Sequence, residues 1–339
     1  MKELVSRMRR VFVAARLPAA VWFAAFLLAA IITPLFMDNY LRAVMWRAGI
    51  YILLGLSLNI IVGYAGQFQL GHAAFYAIGA YTVGILNLTL GVPVLVGLPI
   101  AIVVAGLAGY AMSRPILHLR GDYLAIVTIA FGEIVRMLLV NNVGGITGGS
   151  NGLSGIAQPE LFGYTFRTTL SQYYLVLFFV ALMIITVTRL QNSRLGRAWM
   201  YVREDQLAAE AMGVNTVSVK AIAFLLGSAG AGLAGALYAS RMSVISPDLS
   251  RFLESVIMFC IVVLGGSGSI PGILVGTAGM VVLPEVLRDV LPKFLEWRDL
   301  FVGLAMVLMM IFRPAGLWPS RRVMMEMEEQ AKPPEFETV

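Results

Sequence analysis

Apolar runs long enough to cross a lipid bilayer recur along nearly the whole chain. A helix needs about 20 mostly apolar residues to span the hydrocarbon core. Such runs lie near residues 19–36, 43–63, 68–88, 93–113, 123–141, 172–189, 220–240, 252–266, 271–287 and 298–313. In lipid, each backbone N–H and C=O needs a partner, and continuous apolar runs meet that need as helices. The sequence therefore predicts an all-α integral membrane protein with about ten transmembrane helices.

The composition agrees with a membrane protein. Of the 339 residues, 59% are hydrophobic and 13% are charged, whereas soluble domains carry about 25% charged residues. The net charge of +6 arises from basic residues that flank the apolar runs, so membrane topology explains it better than nucleic-acid binding does. The single cysteine, Cys260, lies in an apolar run and excludes an intrachain disulfide. We expect it to be a small packing residue.

The distribution of lysine and arginine predicts the orientation. The basic residues before the first run resemble the start of a signal peptide, but no small-x-small cleavage site follows, so this run is kept as a helix. Because cytoplasmic loops are enriched in Lys and Arg, we place both termini in the cytoplasm. The bias is incomplete, since the opposite side keeps Arg42, Arg167, Arg241, Arg288 and Lys293.

This orientation divides the chain into three regions. Residues 1–18 form a basic cytoplasmic N-terminus, residues 19–318 the transmembrane domain, and residues 319–339 a cytoplasmic tail. Within the transmembrane domain, residues 190–219 form a cytoplasmic loop and residues 142–171 a periplasmic loop. The glycine-rich core of the periplasmic loop is too flexible for a long helix. It either contacts an external protein or caps the domain.

The cytoplasmic loop contains a short charged stretch, REDQLAAEAMGVNT, that predicts a helix of two or three turns. Glu204 and Asp205 suit a helix N-terminus, and Gly213 suits its end. Leu207, Ala208, Ala211 and Met212 fall on one narrow face. A helix this short is unstable alone in water. It needs a surface to dock on, either a partner protein or, as the simpler alternative, its own membrane domain.

Motifs of two common enzyme classes are absent from the sequence. No Lys follows a Gly anywhere, which excludes the phosphate-binding loop of P-loop ATPases. His72 and His118 are the only histidines and are far apart, which excludes an H-E-x-x-H metal site. We therefore expect no catalytic residues, no bound metal and no cofactor on this chain, and a membrane pathway driven by an ion gradient or by a partner.

Four blocks of the sequence resemble a known family in the expected order. They are GLSLNIIVGYAGQFQLGHAAFYAIGAYTVGIL (Gly55–Leu86), RGDYLAIVTIAFGEIVRMLLVNN (Arg120–Asn142) with TGGSNGLSGI (Thr147–Ile156), SRLGRAWMYVREDQLAAEAMGVN (Ser193–Asn215) and VVLGGSGSIPGILVGTAG (Val262–Gly279). Together they resemble the membrane permease subunits of branched-chain amino-acid ABC importers, and the M-type subunit more than the H-type. Urea-importer permeases share much of this pattern.

The resemblance implies an ABC importer permease fold and a set of partners. These are a second homologous permease, two ABC ATPase subunits that bind ATP and Mg, and a periplasmic substrate-binding protein. It also implies that the short helix inserts into a groove on the ATPase, since Glu210, Ala211 and Gly213 match a compressed form of the family's coupling motif. The residues assigned to ATPase coupling are Arg203, Glu204, Asp205, Leu207, Ala208, Glu210, Ala211 and Gly213. The acidic ones would pair with basic groups on the ATPase, and Arg203 with an acidic one.

A glycine-rich interruption with polar residues marks the entry to the third run. Irregular backbone at membrane depth is tolerated only where protein or a water-filled cavity surrounds it. The residues assigned here to a path or gate are Asn59, Gly66, Gln67, Gln69, Gly71 and His72. A similar break lies at GGSGSIPG (Gly265–Gly272). The alternative is tight helix packing, which Gly268, Gly272 and Gly276 at four-residue spacing would support.

Glu133 and Arg136 lie three residues apart on one face of the fifth run. Ionisable groups within a membrane either mark a pathway or pair with each other. We favour a self-neutralised pair that fixes the helix orientation, with a polar marker of the pathway as the alternative. His72 is interpreted mainly as a hydrogen-bonded structural histidine, with a pH-sensitive group as the alternative.

The sequence thus predicts a permease subunit for branched-chain amino acids in the inner membrane. Urea or another amide is the competing substrate, and an ion-driven secondary transporter is the competing class.

Overall fold

The computed structural model describes residues 30–119, 121–161, 163–285, 303 and 316–318. The helices, in chain order, are α1 Asn39–Asn59, α2 His72–Leu90, α3 Val94–Ile116, α4 Asp122–Val140, α5 Thr169–Gln191, α6 Arg194–Glu204, α7 Gln206–Ala211, α8 Thr216–Met242, α9 Phe252–Gly265 and α10 Ile270–Thr277. The strands are β1 Leu153–Ser154, β2 Glu160–Leu161, β3 Tyr164–Thr165 and β4 Val244–Ile245. Turns of π-helix extend α1 through Ile60–Tyr64 and α10 through Ala278–Val282.

Six of the described helices are long and apolar enough to cross a membrane, namely α1 to α5 and α8. Two shorter apolar helices, α9 and the extended α10, coincide with the predicted runs at 252–266 and 271–287. Most of the first predicted run and nearly all of the tenth lie outside the described residues. The described helices therefore account for eight of the predicted runs, and the total of about ten stays a prediction.

Helices α1 and α8 form the centre of the molecule. In their most apolar windows, 83% of α1 and 72% of α8 is buried, against 33% of α4 and 39% of α3 and α5. Helix α8 packs on α3, α2 and α1. The outer faces of α3, α4 and α5 expose large apolar side chains such as Val103, Ile126 and Phe178. A membrane would cover these faces, because apolar side chains are stable in lipid.

Close backbone contact explains the abundance of glycine. A Cβ on Gly235 of α8 would lie 1.9 Å from the carbonyl oxygen of Tyr76, and a Cβ on Gly79 of α2 would lie 2.1 Å from that of Gly232. No side chain fits between α2 and α8 at these points. Small residues at helix crossings allow this approach in membrane proteins.

The helical domain has two ends that carry different loops. At the α6–α7 end, α6 and α7 lie beside the C-terminal end of α1, since Arg203 contacts Gly63. At the β1–β4 end, the loop after α4 pairs with the segment after α8 through antiparallel β1 and β4, with Leu153 opposite Ile245. The two loops predicted to lie on opposite sides of the membrane are thus found at opposite ends.

The loop at the β1–β4 end has no long helix, as the sequence predicts. It consists of two 3-10 turns, at Val143–Gly145 and Gly149–Asn151, and the β2–β3 hairpin. Its Ala157 N–H donates to Asn87 Oδ1 at 2.8 Å, and Ile156 is buried. The loop is therefore held against the end of α2. Residues 148–152 spell Gly-x-Ser-x-Gly, but they lie in a 3-10 turn rather than at a strand-to-helix turn, so they do not form a nucleophile elbow.

Two of the basic residues that weaken the predicted charge bias have local partners. The guanidinium of Arg42 donates to the carbonyl of Pro34 at 2.8 Å. The guanidinium of Arg241 lies over the ring of Trp46, 4.5 Å from its centroid. A paired cation is less costly near an interface than a free one. Arg288 and Lys293 lie outside the described residues.

Candidate functional site

The charged stretch forms two helices rather than one. Helix α6 ends at Glu204, and Asp205 has extended backbone angles, with φ −148° and ψ 113°. The Asp205 carboxylate then caps α7 by accepting from the N–H groups of Leu207 and Ala208, at 2.8 and 3.1 Å. The expected single helix over 203–213 is therefore wrong in its start, because Asp205 serves as the cap rather than as a first-turn residue. Gly213 ends the helix with φ +83°, as predicted.

Helix α7 turns its predicted small-residue stripe away from the rest of the chain. Ala208 and Ala211 are exposed, Leu207 is 65% exposed and Met212 is 85% exposed. Ala209 faces the domain and is buried. An exposed Leu and an exposed Met beside two alanines form a nearly flat apolar surface. Because this six-residue helix is too short to be stable alone, its other face has to anchor it.

Polar contacts provide that anchor. Glu210 accepts from the hydroxyl of Thr216 at 2.6 Å and from the amide of Gln206 at 2.9 Å. The ammonium of the buried Lys220 donates to Gln206 Oε1 at 2.7 Å. The carboxylate of Glu210 thus lies against the start of α8, and the residue is also exposed, so its pairing with a basic group on a partner stays a prediction. Glu204 is exposed at the end of α6.

Arg203 reaches from the loop at residues 190–219 to the end of α1. Its guanidinium donates to the carbonyl of Gly63. A Cβ on Gly66 would lie 2.7 Å from Cγ of Arg203. The arginine was expected to meet an acidic group on the ATPase. In the structure it contacts the backbone interruption that precedes α2.

The interruption between α1 and α2 runs back beside α4. After the π-helical turn, residues 66–71 have no helical structure. Leu70 N–H donates to the hydroxyl of Thr128 at 3.1 Å. A Cβ on Gly71 would lie 2.0 Å from the carbonyl oxygen of Thr128. Surrounding helices thus enclose the irregular backbone, as irregular segments at membrane depth require.

The two glycine-rich interruptions contact each other. The N–H of Gly268 donates to Asn59 Oδ1 at 2.8 Å. A Cβ on Gly63 would lie 2.6 Å from the nitrogen of Gly268. The four-residue spacing predicts that Gly268, Gly272 and Gly276 share one helix face. This is wrong for Gly268, which has φ +80° and lies in the turn between α9 and α10. The other two glycines do pack on α9, against Gly265 and Ile261.

The polar side chains assigned to a pathway are buried. Gln67 donates to the carbonyl of Ala65 at 3.0 Å. His72 Nε2 lies 2.8 Å from the hydroxyl of Ser57, which agrees with the structural interpretation of this histidine. Among the described residues, the amide of Gln69 has no hydrogen-bond partner. Of the six residues assigned here, Gly66 is exposed and the other five are buried.

Glu133 and Arg136 belong to a larger network at the β1–β4 end. Their nearest N and O atoms are 3.6 Å apart, and Arg136 also lies 3.9 Å from the carboxylate of Asp248. Asp248 in turn accepts from Arg251 at 2.9 Å. The side chains of Arg136 and Glu133 are 33% and 38% exposed, so the pair is not deeply buried. Asp248 and Arg251 were missed, because the sequence gives no signal that residues 248–251 return to α4.

Comparison with known proteins agrees with these features. Residues 40–310 match the family described as branched-chain amino acid transport system, permease component. The high-affinity branched-chain amino acid transport system permease protein LivM of Escherichia coli (strain K12) is 42% identical over 83% of this chain and 71% of its own length. The LivH permease protein of the same strain is 28% identical over 79% of this chain and 90% of its own length.

A more distant relative covers a similar share of the chain. The probable branched-chain amino acid transport permease protein LivM of Methanocaldococcus jannaschii is 27% identical over 81% of this chain and 92% of its own length. No solved structure matches the chain. The higher identity to LivM than to LivH confirms the predicted M-type resemblance.

Proposed function

The chain belongs to the family of branched-chain amino acid transport permease components, and we propose that it is the M-type permease subunit of an ATP-driven importer for branched-chain amino acids. It is a multi-pass membrane protein, and we place it in the bacterial inner membrane. Its partners are a second homologous permease, two ABC ATPases that bind ATP and Mg, and a periplasmic binding protein. The chain itself supplies no ATPase site and no cofactor.

In this proposal residues 190–219 face the ATPases and residues 142–171 face the binding protein. ATP binding closes the two ATPases, which push on α7, and α6 carries the motion into the helical domain. The cavity between the two permeases then opens to one side of the membrane at a time. The binding protein determines most of the substrate choice.

The exposed stripe of α7 carries the ATPase assignment. The face of this helix that packs on its own domain is supplied by Ala209, while Leu207, Ala208, Ala211 and Met212 point outward. A helix that merely covered its own domain would turn its apolar side chains inward, because burial of apolar area stabilises such a contact. The outward stripe therefore favours a partner over the linker alternative.

Replacing Ala208 or Ala211 with Trp tests this assignment. Overpacking a fitted surface costs about 1–3 kcal/mol, which weakens association by roughly 5- to 150-fold. We expect the ATPases to be lost when the transporter is purified through a tag on this chain. The permease itself should still fold, because both positions are exposed. These variants are cleaner than Glu210→Lys, which would also break the contact of Glu210 with Thr216.

Ala157→Trp is the matched control, since Ala157 is exposed at the β1–β4 end. It should retain the ATPases at the wild-type ratio. Full retention of the ATPases by the Ala208 and Ala211 variants, together with wild-type uptake, would leave α7 as a linker. If no ATPase co-purifies with the unmodified chain, the proposal of an ATP-driven importer is refuted as a whole.

A further inference from the structure

We infer that Arg203 is the positioning residue that transmits motion from the ATPase-facing loop to the paired helix interruptions, rather than a contact with the ATPase. The inference rests on the proposed function, because it assumes that α7 receives the push. It reassigns Arg203, which is exposed near the end of α6, from a contact with the ATPase to a contact with Gly63. The evidence lies in what Arg203 contacts, in what those contacts are attached to, and in how α6 is held.

The first step is the contact itself. The guanidinium of Arg203 donates to the carbonyl of Gly63, which belongs to the π-helical turn at the end of α1. A charge-assisted hydrogen bond is stronger than a neutral one. The aliphatic part of the side chain lies over Gly66, where an added Cβ would come within 2.7 Å of Cγ. Arg203 thus contacts the start of the interruption twice, through a polar group at Gly63 and through packing at Gly66.

The second step is the far side of Gly63. An added Cβ on this glycine would lie 2.6 Å from the nitrogen of Gly268, whose N–H donates to Asn59. The carbonyl that Arg203 holds is therefore part of the point where α1 meets the turn between α9 and α10. A displacement of Arg203 acts on both interruptions together, because rigid contacts without intervening side chains transmit displacement.

The third step is the condition of the receiving segment. A π-helical turn is rare and often marks a functional site. In the part of the chain that the structure describes, the Asn59 amide nitrogen and the Tyr64 hydroxyl are buried without a hydrogen-bond partner. Unsatisfied buried groups in a native structure call for an explanation. A second arrangement of this segment, in which both groups form hydrogen bonds, would explain them. Such a segment would also be the two-state element that coupling requires.

The fourth step is the sending segment. Trp199 is buried, and its indole N–H donates to the carbonyl of Val219 at 2.7 Å, which ties α6 to the first turns of α8. Arg203 lies one turn further along α6, two residues before the extended Asp205. A push on α7 therefore reaches Arg203 through the Asp205 junction, while Trp199 serves as the fixed point.

Arg197 offers a matched control on the same helix. Its guanidinium donates to the carbonyl of Asn192 at 3.2 Å, within the loop itself. Arg197→Met removes the same charge from α6 as Arg203→Met does, without touching the interruptions. Arg203→Lys keeps the charge and an N–H donor. The three variants therefore separate the charge of α6 from the contact with Gly63.

The experiment measures three quantities on the full complex: the ATPase subunits that co-purify, substrate-stimulated ATP hydrolysis, and uptake into proteoliposomes. For Arg203→Met we expect the wild-type amount of ATPase and a fall of about tenfold in uptake per ATP hydrolysed, within the range that couplings between sites span. Arg203→Lys should recover part of the ratio, and Arg197→Met should keep it. If Arg203 had a merely structural role, Arg203→Met would lower the yield of the complex, and the complex that remains would keep the wild-type ratio of uptake to ATP hydrolysis.

Two results would overturn the inference. One is a wild-type uptake-to-hydrolysis ratio in Arg203→Met. The other is loss of the ATPases from that variant, which would make Arg203 a docking residue. If the unmodified chain retains no ATPase, the proposed function fails instead, so the two failures are distinguishable. Should Arg203→Met not yield a monodisperse complex, Arg203→Gln replaces it with the same expected loss, since the shorter neutral side chain does not reach Gly63.

Discussion

Adding one methyl group to either side of the contact between the interruption and α4 should have opposite effects. On one side, a Cβ on Gly71 would lie 2.0 Å from the carbonyl oxygen of Thr128 and 2.8 Å from its carbonyl carbon. On the other side, a Cβ on Gly132 would meet only the Cα of Gly71, at 3.7 Å, which is ordinary contact. Gly71→Ala and Gly132→Ala are therefore matched substitutions at one interface.

The destabilisation by Gly71→Ala follows from the geometry. Gly71 has φ −109°, which alanine also adopts, so backbone strain contributes little. Carbon and oxygen atoms rarely approach closer than about 3.3 Å, so the segment has to move away from α4 by more than about 1 Å. Overpacking of this kind costs about 1–3 kcal/mol. The move also lengthens the hydrogen bond from Leu70 to Thr128, worth about 0.5–1.5 kcal/mol, so the expected loss is roughly 2–4 kcal/mol.

Gly132→Ala should be neutral or stabilising. Gly132 lies inside α4, where alanine is favoured over glycine by about 0.8–1.0 kcal/mol. Thermal unfolding of both variants in detergent, together with uptake and ATPase co-purification, decides the case. We expect a lower midpoint and impaired uptake for Gly71→Ala, with the ATPases retained because Gly71 is buried and is not part of the exposed stripe of α7. Equal midpoints for the two variants, or a wild-type midpoint and uptake for Gly71→Ala, would refute the close contact.

Two further predictions concern the charged network and the energy source. Arg136 faces both Glu133 and Asp248, and the three side chains are 33%, 38% and 53% exposed. Arg136→Met should therefore destabilise more than Glu133→Gln, with a Glu133–Arg136 coupling energy below about 1 kcal/mol in a double-mutant cycle. A coupling above about 3 kcal/mol would indicate a deeply buried pair instead. Uptake of leucine should stop on ATP depletion and survive an uncoupler; the reverse pattern would indicate an ion-driven transporter, and uptake of urea in place of leucine would indicate the amide alternative.

The sequence predicts the transmembrane helices well because their signal is local. Each run forms its own backbone hydrogen bonds as a helix, and it can be recognised by its length and its apolar composition. Gly213 as a helix end was predictable for the same reason, since a left-handed residue favours glycine. The irregular loop after α4 was predictable from its glycines.

The junction at Asp205 was not predictable, since the residues around it favour a helix on both sides. An aspartate is equally at home at an N-cap and in a first turn. The choice is made by the docking of α6 through Trp199 and of α7 through Ala209, which the local sequence does not contain.

The contacts between distant segments were also beyond the sequence. Arg203 and Gly63 are 140 positions apart, and Asn59 and Gly268 are 209 apart. The glycine-rich runs marked both interruptions, but no pattern in either run states that the other is its neighbour. The contact between Arg136 of α4 and Asp248 was not predictable either, because the sequence does not indicate which residue pairs with an exposed charge.

The crossing of α2 and α8 limits how this chain can diverge from its relatives. In an ordinary core, a larger side chain on one helix is offset by a smaller one on the other. At Gly79 and Gly235 the opposing atoms are backbone carbonyls of Gly232 and Tyr76, and a carbonyl has no smaller alternative. No second substitution can therefore compensate a side chain introduced at either glycine. Relatives that import different solutes should keep both glycines, so variation that accompanies a change of solute has to be sought at other positions.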